Sequence, residues 1–114
     1  MKKIKIANGQ GFWGDSSQAP IDLIDNTDIN YLTLDYLAEV TLSIMQRQKI
    51  KNKQKGYATD FIDLIKRVIN DIIEKNIKII TNAGGVNPEV CKEKLLELAK
   101  ELDLDIKIAI IKGD

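Results

Sequence analysis

Apolar residues recur along the chain with two distinct periods. Lys3 to Ala7 alternates around Ile4 and Ile6, and short apolar runs follow at Tyr31-Leu32-Thr33-Leu34, Ile77-Lys78-Ile79-Ile80-Thr81 and Ile106 to Ile111. Such runs predict four strands. Between them the spacing becomes helical: Leu37, Val40, Ile44; then Phe61, Ile65, Val68, Ile72; then Cys91, Leu95, Leu98, Leu102. Pro20 suits the first turn of a shorter helix, and Pro88 can open the last one with Asn87 as its cap. Strands alternating with helices predict an α/β fold: a mainly parallel four-stranded sheet with flanking helices.

Each predicted strand runs into polar residues or glycine. Asn8-Gly9 follows the first, Asp35-Tyr36 the second, Asn82-Ala83-Gly84-Gly85 the third and Lys112-Gly113-Asp114 the fourth. In parallel α/β sheets ligands bind at the carboxyl edge, where loops converge and helix N-termini present free amides. One rim shared by these clusters is therefore expected. Asn82-Ala83-Gly84-Gly85 reads equally as a tight turn or as an anion or carbonyl site built from the Gly84 and Gly85 amides. Asp35 and Glu39 are four apart, so a helix starting near Asp35 would place them on one face, for a divalent cation or for acid and base roles; capping and dipole complementation explain them too. A carboxylate crowded at this rim is expected to have a raised pKa.

The stretch "NGQGFWGDSSQAP" puts three glycines and the only tryptophan directly after the first apolar run. It is expected to fold over the rim, Gly11 and Gly14 allowing the turn and Asp15 facing inward, or else to seal the sheet end with Trp13. Gly9-x-Gly11-x-x-Gly14 matches a dinucleotide fingerprint by letter, but Phe12-Trp13 fills its interior and the next helix starts too late.

Composition narrows the chemistry. The 114 residues are 44% hydrophobic and 30% charged, with 17 basic and 17 acidic side chains. One domain spanning residues 1–114 follows, with no net field for nucleic acid or an anionic membrane. The tract "QRQKIKNKQKG" from Gln46 to Gly56 reads as a solvated helix end and loop, or as a phosphate-binding surface. A lone Cys91 excludes an internal disulfide and packs best as a small buried hydrophobe; with no long charge-free apolar run, a cytoplasmic location is expected. Met1-Lys2-Lys3 imitates a signal n-region, but Lys5 breaks the apolar run behind it. With no histidine, catalysis by this chain would fall to Asp, Glu, Lys, Tyr, Cys or backbone amides. No metal or cofactor is named by any motif.

Four segments, "NGQGFWGDSSQAP", "LDYLAEVTLSIMQRQ", "KGYATDF" and "IKIITNAGGVNPEVCKEKLLELAKE", resemble the N-terminal region of the acyclic terpene utilisation A family, formerly a domain of unknown function. The resemblance runs from about Ile4 to Asp114, in the family's order. Asn8, Gly11, Phe12, Trp13, Gly14, Asp15, Asp35, Tyr36, Glu39, Asn82, Gly84, Gly85, Asn87 and Pro88 match its motifs. Members are associated with bacterial breakdown of citronellol- and geraniol-type terpenes through acyl-CoA intermediates. The resemblance thus implies a catabolic enzyme or enzyme component handling an acyclic carboxylic acid or its CoA ester. It also implies the N-terminal portion of a longer architecture, the opening part of a larger sheet or barrel.

Two further functional classes stand beside that one. A noncatalytic or regulatory subunit would complete a site with a second chain, as homo-oligomer or hetero-complex, through unpaired strand edges. A nucleotide- or phosphate-binding module is disfavoured by the absent phosphate-loop spacing. Within the enzyme reading, Asp15, Asp35 and Glu39 are the candidate catalytic carboxylates, and Asn8, Gly11, Trp13, Gly14, Asn82, Gly84, Gly85 and Asn87 the candidate ligand-binding residues.

Overall fold

A computed structural model describes residues 3–112. Its order is β1 (Ile6–Gln10), α1 (Gln18–Asn26), β2 (Tyr31–Leu34), α2 (Glu39–Lys51), α3 (Thr59–Glu74), β3 (Lys78–Thr81) and α4 (Pro88–Glu101). The strands form one parallel sheet in the order β1-β2-β3. The α/β class and parallel pairing are as expected; the described residues form three strands, not four.

Register explains the two faces of the sheet. Ile6, Tyr31 and Lys78 form one row across the strands, and Ala7, Leu32 and Ile79 the next. Side chains alternate across a strand, so the second row faces one side and the first the other. Leu32 and Leu34 are buried on the covered side, while Ile6 is 67% and Ile80 57% exposed on the other. Consecutive parallel strands joined by right-handed crossovers place their helices on one face. In agreement, α1 packs on β1 and on α3, and α3 on α4.

β1 begins three residues later than its alternation suggests. The chain before it is used differently: the Lys5 carbonyl accepts the Asn30 and Tyr31 amides, and its amide donates to Asn30 Oδ1. The strand then runs on through Asn8-Gly9-Gln10, with an irregularity between Asn8 and Gln10. Gly9 is inside the sheet because α1 crosses closely: a β-carbon there would stand 3.2 Å from Pro20 Cα and 3.1 Å from methyls of Leu32 and Leu34.

Helical spacing located α3 and α4 well. Phe61, Ile65 and Val68, and Cys91, Leu95 and Leu98, are buried. It did worse in α2, where Val40 is 70% exposed and Met45, one position from Ile44, is fully buried. No other element packs extensively on α2, so its apolar spacing had no core face to report.

The fourth expected strand, Ile106 to Ile111, is unpaired. Leu104, Ile106, Ile108 and Ile110 are half-buried while Asp105, Lys107, Ala109 and Ile111 are exposed. The alternation correctly identified an inward side, yet a cleft of about 340 Å3, bounded by Thr81 and Asn82 and by Ile108 to Ile111, lies beside β3. Apolar side chains can reach the core without backbone pairing, and period two alone does not specify the partner. Gly113 and Asp114 lie outside the described residues, as do Met1 and Lys2.

Gly85 has φ +56°, and a β-carbon on it would meet Met45 Sδ at 2.4 Å and the Gly56 carbonyl oxygen at 2.7 Å. Gly85→Ala is expected to cost at least about 2 kcal/mol, combining left-handed strain with overpacking. Gly14, at φ +94° with open space around it, should lose only about 1 kcal/mol as alanine. Urea denaturation of both variants measures the difference; equal losses would refute this packing account.

Candidate functional site at the carboxyl rim

Hydrogen bonds join the carboxyl ends of the three strands. The Asp35 amide donates to the Gln10 carbonyl at 3.0 Å, tying β2 to β1. Asn82 then ties β3 to β2 twice: its Nδ2 donates to Asp35 Oδ1 at 2.8 Å, and its Oδ1 accepts the Tyr36 amide at 2.8 Å. Thr81 Oγ1 donates to the Leu34 carbonyl and accepts the Ala83 amide, and the Ala83 carbonyl accepts the Ala58 amide just ahead of α3. Asp35 and Asn82 thus meet at one rim.

Asp35 does not act as the cap of α2, which begins four residues later with Ala38 in the capping position. Its Oδ1 accepts the Leu37 amide at 3.1 Å in a local turn. Because Asp35 precedes the helix, the proposed shared helical face with Glu39 is not formed. The bond from Asn82, then that from the Leu37 amide, hold the Asp35 carboxyl below its ordinary value, opposite to the expected rise. Donors stabilise the ionised form, and the group is too exposed for desolvation to outweigh them.

The Trp loop is fastened to the same end. Trp13 Nε1 donates to Asp60 Oδ1 at 2.8 Å, anchoring the loop on the first turn of α3. Asp15 closes the loop on itself, its two carboxylate oxygens accepting the amides of Gly11 and Ser16. Gln10, buried at the end of β1, donates Nε2 to the Phe12 carbonyl. Asn8 lies apart from the rim, mid-strand and exposed, accepting from Thr33 Oγ1.

The third cluster is built mainly as a turn. The Gly85 amide donates to the Asn82 carbonyl and the Asn87 amide to that of Gly84, so these donors are engaged within the loop. Gly84 also permits close packing, since a β-carbon would lie 2.9 Å from Pro88 Cα. Asn87 does not cap α4 with its side chain; Nδ2 donates instead to the Lys53 and Lys55 carbonyls. That buried amide holds the lysine-rich loop against the rim.

Gln10, Thr81, Asp60 and Lys92 complete the site and were not named individually by sequence, whereas Tyr36 stood in the second strand-end cluster. Tyr36 is fully buried edge-on to Phe61, ring centroids 5.8 Å apart. Burial first, then the Asp60 carboxylate, pushes its hydroxyl well above the ordinary value, so it remains a neutral donor. Burial pushes the Cys91 thiol up to about 11, which keeps it protonated near neutrality. The cleft beside β3 combines Leu37, Phe61, Leu95 and Ile108 with Asn82 and half-buried Lys92. Its chemistry suits holding an apolar chain near one cation and one amide. Among the described residues no group of acidic or cysteine side chains is arranged to hold a metal, and no helix is long and apolar enough to cross a membrane.

Comparison with known proteins gives one family. The model described as acyclic terpene utilisation family protein AtuA matches residues 4–114. No curated protein and no solved structure matches the chain.

Two measurements test the rim. Asn82→Ala should return the Asp35 pKa toward 3.8, read from carboxyl-carbon chemical shifts on titration. Because its folded pKa is lowered, Asp35 adds stability above its unfolded value and loses it as pH falls through the folded one; Asn82→Ala should therefore flatten stability against pH only in the acid range. An unchanged titration would show that Asn82 does not set the carboxylate. Native Cys91 should resist alkylation near neutral pH and react once the chain is unfolded; fast native labelling would contradict its burial.

Proposed function

Because the chain belongs to the acyclic terpene utilisation family, we propose that it is an enzyme or enzyme component of acyclic terpene catabolism, handling an acyclic carboxylic acid or its CoA ester at the carboxyl rim. The cleft beside β3 carries this reading: apolar walls accept a hydrocarbon chain, while Lys92 supplies a charge for its carbonyl end. Asp35 and Asn82 act here as positioning groups, since each is already committed to the bonds that join the strands. Lys92, which lines the cleft, is the nearer source of a charge for chemistry.

A second reading is favoured by the open face of the sheet. Ile6 and Ile80 stand largely exposed there, and β1 and β3 each pair on one side only among the described residues. Exposed sheet surface and unpaired edges invite another chain, so a homo-oligomer or a complex with a second subunit would complete the site.

Titration of the chain with a branched acyclic carboxylic acid, followed through Trp13 fluorescence, tests the first reading. Lys92→Gln should weaken binding by about tenfold, roughly 1.4 kcal/mol. Affinity unchanged in both Lys92→Gln and Asn82→Ala would remove the ligand from this cleft. Sedimentation at micromolar concentration tests the second, for which a stable monomer without any co-purifying chain would be decisive against association.

A further inference from the structure

Charge cancels over the whole chain but not along it. Residues 6–46 carry Asp15, Asp22, Asp25, Asp28, Asp35 and Glu39 and neither lysine nor arginine, whereas residues 40–59 carry Arg47, Lys49, Lys51, Lys53 and Lys55 and no carboxylate. Lys49 and Lys51 lie in the last turn of α2, where cations complement the helix dipole. That role does not account for Arg47, Lys53 or Lys55. Arg47, Lys51, Lys53 and Lys55 are exposed, and none of them forms an ion pair among the described residues.

The same helix shows apolar side chains to solvent. Val40 is 70% and Ile50 75% exposed, Ile44 is exposed as well, and no other element packs extensively on α2. Val40, Ile44, Arg47 and Lys51 are spaced i, i+4, i+7 and i+11 and so share one face, with Ile50 next to Arg47 at i+3. Fully buried Met45 marks the opposite side. One outward face therefore mixes β-branched apolar residues with cations. Hydrogen bonds hold the helix end and the basic loop after it in place: Lys49 Nζ donates to the Val86 carbonyl at 3.1 Å, the Lys55 amide to the Asn52 carbonyl at 3.0 Å, and buried Asn87 to the Lys53 and Lys55 carbonyls.

From this arrangement we infer that the outward face of α2 docks on an anionic lipid bilayer. Val40, Ile44 and Ile50 enter the boundary between headgroups and acyl chains, Arg47 and Lys51 reach the headgroup anions, and Lys53 and Lys55 add attraction at longer range. Interleaved charge decides for this occupant. A protein groove reads an unbroken apolar stripe at helical spacing, and here positions 47 and 51 of that stripe are cationic. At a bilayer surface the two kinds of side chain separate by depth, because arginine and lysine extend their charged ends back to water while their stems stay with the apolar residues. A second copy fits less well. Pairing α2 with α2 would set cations against cations, and α1, whose exposed residues are Gln18, Ala19, Asp22, Asp25 and Asn26, offers no large apolar side chain to Val40 or Ile50. Nucleic acid would take the charges and leave the apolar residues in water. The inference is independent of the cleft beside β3 and of any ligand bound there.

Co-sedimentation of the full chain with phosphatidylcholine vesicles, with and without phosphatidylserine, is the test. Binding is expected only when phosphatidylserine is present, and it should weaken as salt is raised. Arg47→Gln with Lys51→Gln should lower the partition coefficient at least about tenfold. Val40→Ser with Ile50→Ser should also lower it, while the remaining binding keeps its salt dependence; all four side chains are exposed, so the fold should persist by circular dichroism. Lys66→Gln with Arg67→Gln, an equal loss of charge at exposed positions of α3, should leave partitioning unchanged. Equal losses in the two charge variants would reduce the effect to general electrostatics and overturn the inference. Unaltered binding in the Val40 and Ile50 variant would overturn the insertion of this face. Failure of the native chain to bind phosphatidylserine vesicles would overturn it too, whether α2 then proved to bind a DNA duplex, to self-associate in sedimentation velocity, or to do neither.

Discussion

At the carboxyl end of this sheet one side chain, that of Asn82, bridges the last two strands twice over. Its amide nitrogen donates to Asp35 and its oxygen accepts the Tyr36 amide, so the end of β3 is fastened to the end of β2 by both halves of a single amide group. No other common side chain of that length offers a donor and an acceptor side by side. Aspartate would lose the donor and set a second negative charge against Asp35. Leucine would leave the Tyr36 amide without its partner, a loss that costs more than a made hydrogen bond gains. The Gln10 carbonyl continues the chain of contacts to β1, and the Ala83 carbonyl to the start of α3.

The same economy of contacts shapes the neighbouring loop. Gly84 and Gly85 look like an anion cradle when read as letters, yet Gly85 spends its amide on a turn and its missing side chain on close approach to Met45 and Gly56. The turn thereby engages the Gly85 amide, one of the donors an anion would use. The positive potential left around the loop comes from side chains instead, from lysines whose backbones Asn87 pins in place. The lysine tract is thus fixed at its backbone and free at its charged tips.

Trp13 shows how far a local reading can go. Three glycines around an aromatic announced a loop under constraint, and the loop is indeed closed on itself through Asp15 and held down by the indole. Its anchor, Asp60, lies 47 residues away at the start of α3. Its segment, Lys55 to Phe61, matches a family motif, but local sequence does not tell an anchor for an indole from an ordinary acidic residue in a helix's first turn, where it would complement the dipole in any case.

The sequence by itself determined the α/β class, the parallel sheet, the placement of α3 and α4 and the membership of residues 4–114 in a family. Those properties are written in local periodicity and in ordered motifs, which survive without knowledge of what packs where. Tertiary structure alone decided that Ile106 to Ile111 faces the core without joining the sheet, that α2 turns Met45 inward and leaves Val40 outside, and that Asp35 is lowered by Asn82 rather than raised by crowding. Each of these turns on a partner distant in the chain. Periodicity specifies a face, whereas hydrogen-bond partners and local charge depend on which faces finally meet.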